Sequence, residues 1–260
     1  MRNRSPDPRR LLARLDGRMI FVFGCPRSGT TFLAGALGQL SGYVDLGEVA
    51  PLKAAIPSLA GSDPTEAAPR VRQILTRVQR VALAGGLRPI EQTPETVFVA
   101  SALKRAYPDS IAIHLVRDGR DVVCSLRERG WLSGARHGTD DAGHEYGAAT
   151  RFWVEPERAG EFGSVSDIRR AAWAWRRYAQ AGLALGDDAV EVRYETLTAS
   201  PADVATRLAA LLEHPIEELA GALAAAHHES VGRHRNELSN EELAEIDAEA
   251  APLLHSLGYL

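Results

Sequence analysis

The sequence predicts an α/β fold: a P-loop-containing three-layer domain whose mainly parallel central sheet is flanked by helices. Short apolar strands at Met19–Phe23, Ile111–Val116 and Val190–Tyr194 alternate with longer segments of helical periodicity. The second of these strands is almost continuously apolar, as expected for a central parallel strand covered on both faces. The first strand runs directly into a Gly/Pro loop and then a helix, the order found in α/β domains.

The remaining elements follow from periodicity and from the residues that start or stop helices. Ser166 is a predicted N-cap, and the segments 42–57 and 131–164 are predicted to be loops, the second one a functional loop or lid. Helices are predicted from the end of the first loop to about residue 40, and over about 66–83, 95–106, 121–128, 166–178, 201–212, 216–226 and 241–257.

Composition bounds the class of protein. The chain has 260 residues, a formal net charge of −4 and only two cysteines, Cys25 and Cys124. The charge argues against a nucleic-acid partner, and no apolar run approaches the roughly 18 residues that a membrane span needs. Two isolated cysteines indicate no disulfide framework and favour a cytoplasmic location. We expect a basic leader over residues 1–18 and a single domain over 19–260.

The loop after the first strand has the composition of a phosphate-binding turn. The spacing Gly24-x4-Gly29-Thr30-Thr31 nearly matches a nucleotide-triphosphate loop, but threonine stands where that loop has its lysine. Arginine rises from the middle of the loop instead, at position 27. Loop amides and a helix N-terminus bind phosphate, so the pattern indicates a phosphorylated ligand other than a hydrolysed triphosphate.

A second anion cluster is predicted after the strand that ends at Val116. Arg117 follows the strand directly, and Ser125 lies on the next helix. Ligands bind at the carboxyl ends of parallel strands, so this pair should share one sheet edge with the first loop. The alternative is that Arg117 only pairs with Asp118 or Asp121 at the start of its helix.

Four motifs resemble those of sulfotransferases that use 3′-phosphoadenosine 5′-phosphosulfate (PAPS). The segments 25–32 (CPRSGTTF) and 114–125 (HLVRDGRDVVCS) are similar to the two donor-binding motifs of that family. Residues 193–197 (RYETL) resemble its Arg-Tyr-Glu-Asp-Leu segment. Residues 230–238 (SVGRHRNEL), followed by Leu-Gly-Tyr at 257–259, resemble the late region of bacterial members.

The resemblance implies a PAPS donor site and no required metal, because fixed cations and helix N-termini suffice for sulfuryl transfer. Arg27 stands where cytosolic members carry a catalytic lysine. Phe32 also fits plain core packing, and the two late arginines also fit a solvated turn. The donor residues implied are Arg27, Ser28, Gly29, Thr30, Thr31, Phe32, Arg117, Ser125, Tyr194, Arg233 and Arg235.

The resemblance also implies a carboxylate that removes the acceptor proton. Glu48 resembles the base of the glycan and protein-tyrosine branches, and Glu91 is the second candidate; either could instead be a surface carboxylate or an arginine partner. Relatives have lysine where this chain has Gln92. That change removes a charge near the sulfate, unless Lys53 or another arginine supplies it.

The sequence alone leaves several interpretations of the function open. A P-loop kinase of small molecules would need the missing lysine, and a nucleotide-binding relative without turnover is compatible with Gln92. The acceptor is a small molecule, lipid, glycan or peptide, with His137 and His144 as alternative bases. A metal site at His227 and His228 lacks matching carboxylates or cysteines. Trp131, Phe152 and Trp153 are placed to contact an apolar acceptor.

Overall fold

The computed structural model describes residues 19–84, 86–134 and 151–260; for residues 81–84 it describes the backbone alone. Its sheet has five parallel strands in the order β2-β3-β1-β4-β5. Helices flank it on both faces, which confirms the predicted α/β fold. The strands are β1 Ile20–Phe23, β2 Tyr43–Asp45, β3 Arg88–Glu91, β4 Ile111–Val116 and β5 Val190–Arg193.

Twelve α-helices and three 3₁₀ turns lie within the described ranges. The 3₁₀ turns span Pro94–Val99, Pro156–Arg158 and Gly186–Asp188. The α-helices are α1 Thr30–Gly38, α2 Ala50–Ala60, α3 Pro64–Ala84, α4 Ala100–Ala106, α5 Gly119–Arg129, α6 Ala159–Ser164, α7 Asp167–Leu183, α8 Tyr194–Ala199, α9 Pro201–Leu212, α10 Ile216–Leu223, α11 His234–Glu237 and α12 Asn240–Ser256.

Alternate side chains of β1 enter two separate cores, one on each face of the sheet. Phe21 and Phe23 pack into the larger core with α2–α5, α7 and α12. Ile20 and Val22 pack into the smaller core with α1, α9 and α10. All four side chains are buried, as the two-residue period of a central strand requires. The three layers are therefore helices, sheet and helices.

A crevice is expected where adjacent strands send their following helices to opposite faces. Strands β1 and β4 are neighbours, yet α1 packs in the smaller core and α5 in the larger one. The loops after β1 and β4 therefore diverge at the carboxyl ends of their strands. In open α/β sheets this switch point is where ligands bind.

The prediction that residues 42–57 form a loop was wrong. The segment contains the edge strand β2 and most of α2, which begins with a proline in its first turn and has Pro57 inside it. Proline is tolerated in the first turn of a helix, so Pro51 starts α2. Pro51 therefore marks the start of a helix in a segment that was predicted to be a loop.

Other boundaries differ by smaller amounts. The helix predicted over 95–106 begins as a 3₁₀ turn before α4, and α8 follows β5 where no helix was predicted. The end of the predicted 131–164 loop is helical from 156 onward, while 135–150 lies outside the described residues. Ser166 is confirmed as the α7 N-cap, accepting a hydrogen bond from Arg169 N. Within the described ranges no helix has both the length and the apolar character to cross a bilayer.

Candidate active site

Among the described residues, the loop between β1 and α1 holds polar groups that lack protein partners. Helix α1 begins after Gly29 with no side-chain cap from this part of the chain, so its first amides are left for a ligand or water. The Ser28 hydroxyl is buried, and within the described structure it has no hydrogen-bond partner. Arg27 has a φ of 73°, a left-handed conformation that non-glycine residues rarely adopt. Backbone strain beside unpaired donors indicates a ligand site.

Two glycines let other parts of the chain approach this loop closely. A Cβ on Gly24 would lie 2.3 Å from the Leu115 carbonyl oxygen, and one on Gly29 would lie 2.7 Å from the Tyr194 ring. Gly29 also has a φ of 98°. Larger side chains at either position would push the loop away from β4 and α8.

The two predicted anion clusters meet in the crevice. Arg27 Nε donates to Ser125 Oγ at 3.0 Å, and Arg117 Nη1 donates to the Arg27 carbonyl oxygen at 3.1 Å. The Arg27 guanidinium therefore lies between the first-loop amides and the Arg117–Ser125 pair. The structure places the two clusters on the same edge of the sheet and in direct contact.

Arg117 has no carboxylate partner among the described residues. Its Nη2 donates to the Ser230 carbonyl at 2.5 Å, its guanidinium lies 4.5 Å from the centroid of the Tyr194 ring, and its buried Nε has no partner there. Asp118 pairs with Arg120 and Asp121 with His234. The alternative that Arg117 pairs only with Asp118 or Asp121 was therefore wrong.

Positive charge accumulates around Arg27. Burial lowers the pKa of its guanidinium, and the nearby cations Arg129 and Arg117 lower it further. Protein interiors compensate buried charge with opposite charge. A cluster of cations that destabilise one another is an arrangement suited to a multiply charged anion.

The late segment closes over this cluster. Asp121 Oδ2 accepts from Gly232 N at 2.7 Å, and its Oδ1 accepts from His234 N at 3.1 Å, which holds Ser230 against Arg117. Arg233 is neutralised by Glu128 and Glu237, and hydrogen bonds to these carboxylates raise its pKa. Arg235 is exposed and forms no ion pair within the described ranges.

A second set of contacts, not predicted from the sequence, fixes the loop after β4. Glu195 accepts from Asp118 N at 2.8 Å and from the Tyr259 hydroxyl at 3.0 Å. Arg193 donates to the Leu257 carbonyl at 2.8 Å. These bonds join the 193–197 segment to the C-terminal Leu-Gly-Tyr. The resemblance contained both motifs but gave no sign that they touch.

Beside Arg27 a cavity that is open to solvent lies between the first loop, α2, α5 and α7. Glu48 and Lys53 line it, together with Glu95 from the 3₁₀ turn. Lys53 Nζ lies 2.5 Å from Glu48 Oε2 and 3.7 Å from Glu95 Oε1. The predicted apolar residues Trp131, Phe152 and Trp153 also line it, so a carboxylate, an ammonium group and aromatic rings share one space with the loop.

The second candidate base lies in a different environment. Glu91 is 0% exposed and does not line the cavity. It accepts from Thr93 N at 2.9 Å and from the Thr96 hydroxyl at 3.1 Å, and burial raises its pKa to about 7. These contacts fit a carboxyl that shapes the 91–96 turn. Gln92 is buried and accepts from the Thr31 hydroxyl at 3.3 Å.

The two aromatic residues that the resemblance places in the donor site, Tyr194 and Phe32, differ in exposure. The Tyr194 ring is 9% exposed, packed against Gly29 and Arg117, and its hydroxyl donates to the His227 carbonyl at 2.9 Å. Phe32 is half-buried and packs against the smaller core. Tyr194 therefore positions Arg117 and the loop through contacts already made, whereas part of Phe32 stays exposed.

Cysteine chemistry is not available at the site. Both thiols are buried and free, and burial raises the pKa of Cys124 to about 11 and that of Cys25 well above its usual value. Neither supplies a thiolate at neutral pH. In the part of the chain that the structure describes, no group of three or more metal-ligating side chains occurs. The candidate bases His137 and His144 lie outside the described residues.

Fold and site together define an α/β domain with a cationic crevice at its switch point. A protein-family model described as "Sulfotransferase family" matches residues 67–218. The match covers more than half of the 260 residues, and the chain belongs to this family. It does not include the loop at 24–31, whose assignment depends on geometry and on the motif.

Solved structures share the fold at low sequence identity. The sulfotransferase domain of the Synechococcus PCC 7002 olefin synthase matches with a TM-score of 0.53 and 16% identity, over 90% of this chain and 94% of that one. The sulfotransferase domain from the curacin biosynthetic pathway gives 0.52 and 18%, over 90% and 96%. Sulfotransferase STF9 from Mycobacterium avium gives 0.54 and 13%, over 93% and 77%. No curated protein matches this chain.

Proposed function

We propose that this protein transfers the sulfuryl group of PAPS to a hydroxyl or amine of an acceptor, with Glu48 as the general base. The observation that carries the proposal is the direct contact between the two anion clusters through Arg27, Ser125 and Arg117. One ligand that bears phosphate-like groups at two positions would satisfy both clusters at once. Family membership supports the transferred group.

The donor site is matched to the charge of this co-substrate. PAPS when bound supplies the sulfuryl group and a bisphosphate leaving group. The amides of Gly29, Thr30 and Thr31 and the Ser28 hydroxyl would hold its 5′-phosphosulfate. Arg117 and Ser125 would hold its 3′-phosphate, with Arg235 better suited than the neutralised Arg233. Arg27 would offset charge on the bridging oxygen.

Glu48 is the better placed of the two carboxylates. It lines the cavity beside Arg27 and Thr31 and is exposed to it, whereas Glu91 is closed off by its own turn. A general base must reach the proton that it abstracts. We therefore assign proton removal to Glu48 and a positioning role to Glu91.

Lys53 supplies the positive charge that is missing at Gln92, and it does so through its contact with Glu48. Its ammonium group lies against Glu48 and near Glu95, so it holds the Glu48 carboxylate at the cavity. When Glu48 takes the acceptor proton, its negative charge disappears. The ammonium charge then becomes available to the oxygens around sulfur.

The donor assignment is tested by equilibrium binding. We expect saturable binding of 3′,5′-bisphosphoadenosine without magnesium and transfer of labelled sulfate from PAPS to an acceptor panel. Tight magnesium-dependent ATP binding without bisphosphate binding would instead establish the kinase alternative. Bisphosphate binding with no turnover across alcohols, phenols and amines would indicate the inactive relative.

The base and its lysine are tested together by a double-mutant cycle. We expect Glu48→Gln to lower kcat by about 10²–10⁴-fold with little change in bisphosphate affinity. Lys53→Met should also lower kcat in the wild-type background but cost little in the Glu48→Gln background, because its effect acts through Glu48. The matched control is Lys104→Met, which removes the other lysine, one that contacts the Ser110 carbonyl. Additive losses in kcat would show that Lys53 acts independently of Glu48.

The single-domain boundaries 19–260 and a cytoplasmic location complete the proposal. Two buried free thiols support a reducing compartment.

A further inference from the structure

The cavity beside the phosphate loop has two walls of different chemistry. The wall formed by the loop, α2 and the 3₁₀ turn carries Arg27, Thr31, Glu48, Lys53 and Glu95. The other wall, from the end of α5, residues 131–132, residues 151–153 and α7, is mostly aromatic and aliphatic. Reactive polar groups are therefore gathered on one side, and the remaining space is bordered by apolar surface.

The apolar wall is held rigid from behind. Phe98 meets the rings of Phe152 and Tyr178 edge-on at centroid distances of 5.3 and 4.7 Å. Trp153 lies 6.2 Å from Tyr178 and 5.6 Å from Phe162. Edge-to-face packing fixes ring orientation. The wall is therefore preorganised to receive a flat body, and such a ligand loses less entropy on binding.

An anionic acceptor meets three cations on the described lining, and each already has protein contacts. Arg151 is buried and donates to the Trp131 carbonyl at 3.2 Å, and Lys53 is held between Glu48 and Glu95. Arg27 belongs to the proposed donor site. An acidic peptide would therefore have its charges desolvated with little compensation.

Resting on the proposed sulfotransferase function, we infer that the acceptor is an uncharged phenol or alcohol with a flat, apolar body. The aromatic wall binds the body, and the hydroxyl points to Glu48. Glu48 takes the hydroxyl proton as the oxygen bonds to sulfur. The bond from sulfur to the phosphate oxygen breaks, and its electron pair leaves with the bisphosphate. A mostly apolar lining with a few polar groups on one side is typical of small-molecule sites.

The probe for this inference is 2-naphthol, an uncharged flat phenol, measured with 3′,5′-bisphosphoadenosine present. We expect saturable binding and, with PAPS, sulfation of the probe. Trp131→Ala and Phe152→Ala should each weaken naphthol binding by about tenfold or more, since each removes a ring from the wall. Trp131→Phe should retain most of the affinity. Bisphosphate affinity should not change in any of the three.

The matched control is Ile216→Ala, which trims an exposed apolar side chain at the start of α10, outside the cavity. It should leave naphthol binding unchanged. Failure to bind bisphosphate would reject the donor site and so the proposed function. Normal bisphosphate binding with sulfation of N-acetylglucosamine or an acidic tyrosine peptide, and none of naphthol, would overturn the acceptor inference alone. Equal naphthol binding by wild type and both alanine variants would overturn it as well.

Discussion

Arginines in two regions of this molecule have opposite electrostatic surroundings. Between α7 and α12, Arg158, Arg169 and Arg176 surround Glu249, whose side chain is 1% exposed. In the crevice, Arg27 and Arg117 bond to a hydroxyl and to backbone carbonyls, with no carboxylate partner among the described residues. Cations that the fold neutralises hold helices together, and cations left without an anion mark a place for a ligand.

The paired region also orders one edge of the acceptor cavity. Glu155 accepts from the Trp173 indole at 2.8 Å and from Arg176 at 2.9 Å, and Arg158 lies 3.7 Å from the Trp173 ring centroid. These contacts fix the chain directly after Trp153. We therefore expect the paired arginines to contribute to the proposed site through stability, and the unpaired ones through binding.

The largest expected effect comes from breaking the paired region. Glu249→Ala removes a buried carboxylate shared by three arginines, and we expect a loss of about 3–5 kcal/mol in the free energy of unfolding. Denaturant titration measures it. Bisphosphate affinity of the folded fraction should stay unchanged. Glu241→Gln, at an exposed position on the same helix, is the control, and an equal loss there would contradict the comparison.

The next largest effect on stability is expected from His114, which is buried and belongs to neither group of arginines. Burial lowers the pKa of His114 to about 4, and its ring packs on Gly182. The unfolded chain binds this proton from about pH 6.5, so stability should fall by about 3 kcal/mol as pH drops from 6.5 to 4. Glu91, with its raised pKa, acts oppositely over part of this range.

The test of this pH effect is therefore a difference between proteins. His114→Gln removes the titrating ring, and its stability should fall less steeply than that of wild type between pH 6.5 and 4. His255→Gln, at an exposed position on α12, should follow wild type. Parallel curves for wild type and His114→Gln would show that His114 carries no such linkage.

The sequence could not show which arginines form ion pairs with carboxylates. Arg27 and Arg117 were found from sequence because each follows a strand in a motif, and parallel strands bring such loops to one edge. Arg233 was found equally well, yet two carboxylates from α5 and α11 neutralise it. Partners more than a hundred positions apart, such as Glu128 and Arg233, follow from tertiary packing that local pattern does not encode.

Tertiary packing, which local sequence does not encode, also distinguishes the two candidate bases. Glu48 and Glu91 were both candidates from the sequence, and only packing shows that one faces the cavity and the other is enclosed. Residues 42–57 were predicted to form a loop, whereas Pro51 lies in the first turn of α2, where proline is compatible with a helix. Alternating strands and helices, which depend on local periodicity, were largely predicted correctly.

Removing an unpaired arginine should affect binding more than stability. Arg117→Met is expected to weaken bisphosphate binding by about 2 kcal/mol, roughly thirtyfold, because it removes a buried charge that faces the ligand. Isothermal titration measures it. Arg176→Met removes a side chain of the paired region instead and should reduce stability with donor affinity intact. An unchanged dissociation constant in Arg117→Met would remove this residue from the donor site.

The smallest effect gives the sharpest test of whether the two clusters act together. Ser125→Ala leaves the charges in place and removes the hydroxyl that accepts from Arg27. We expect bisphosphate binding to weaken by about 1 kcal/mol, roughly fivefold, while Ser101→Ala on the exposed side of α4 changes nothing. Because Arg27 Nε donates to Ser125 Oγ, each side chain positions the other, and the loss on Ser125→Ala should be smaller in an Arg27→Met background than in wild type. Full additivity would mean that the hydroxyl and the guanidinium contribute to bisphosphate binding independently, and that their hydrogen bond does not couple the two clusters.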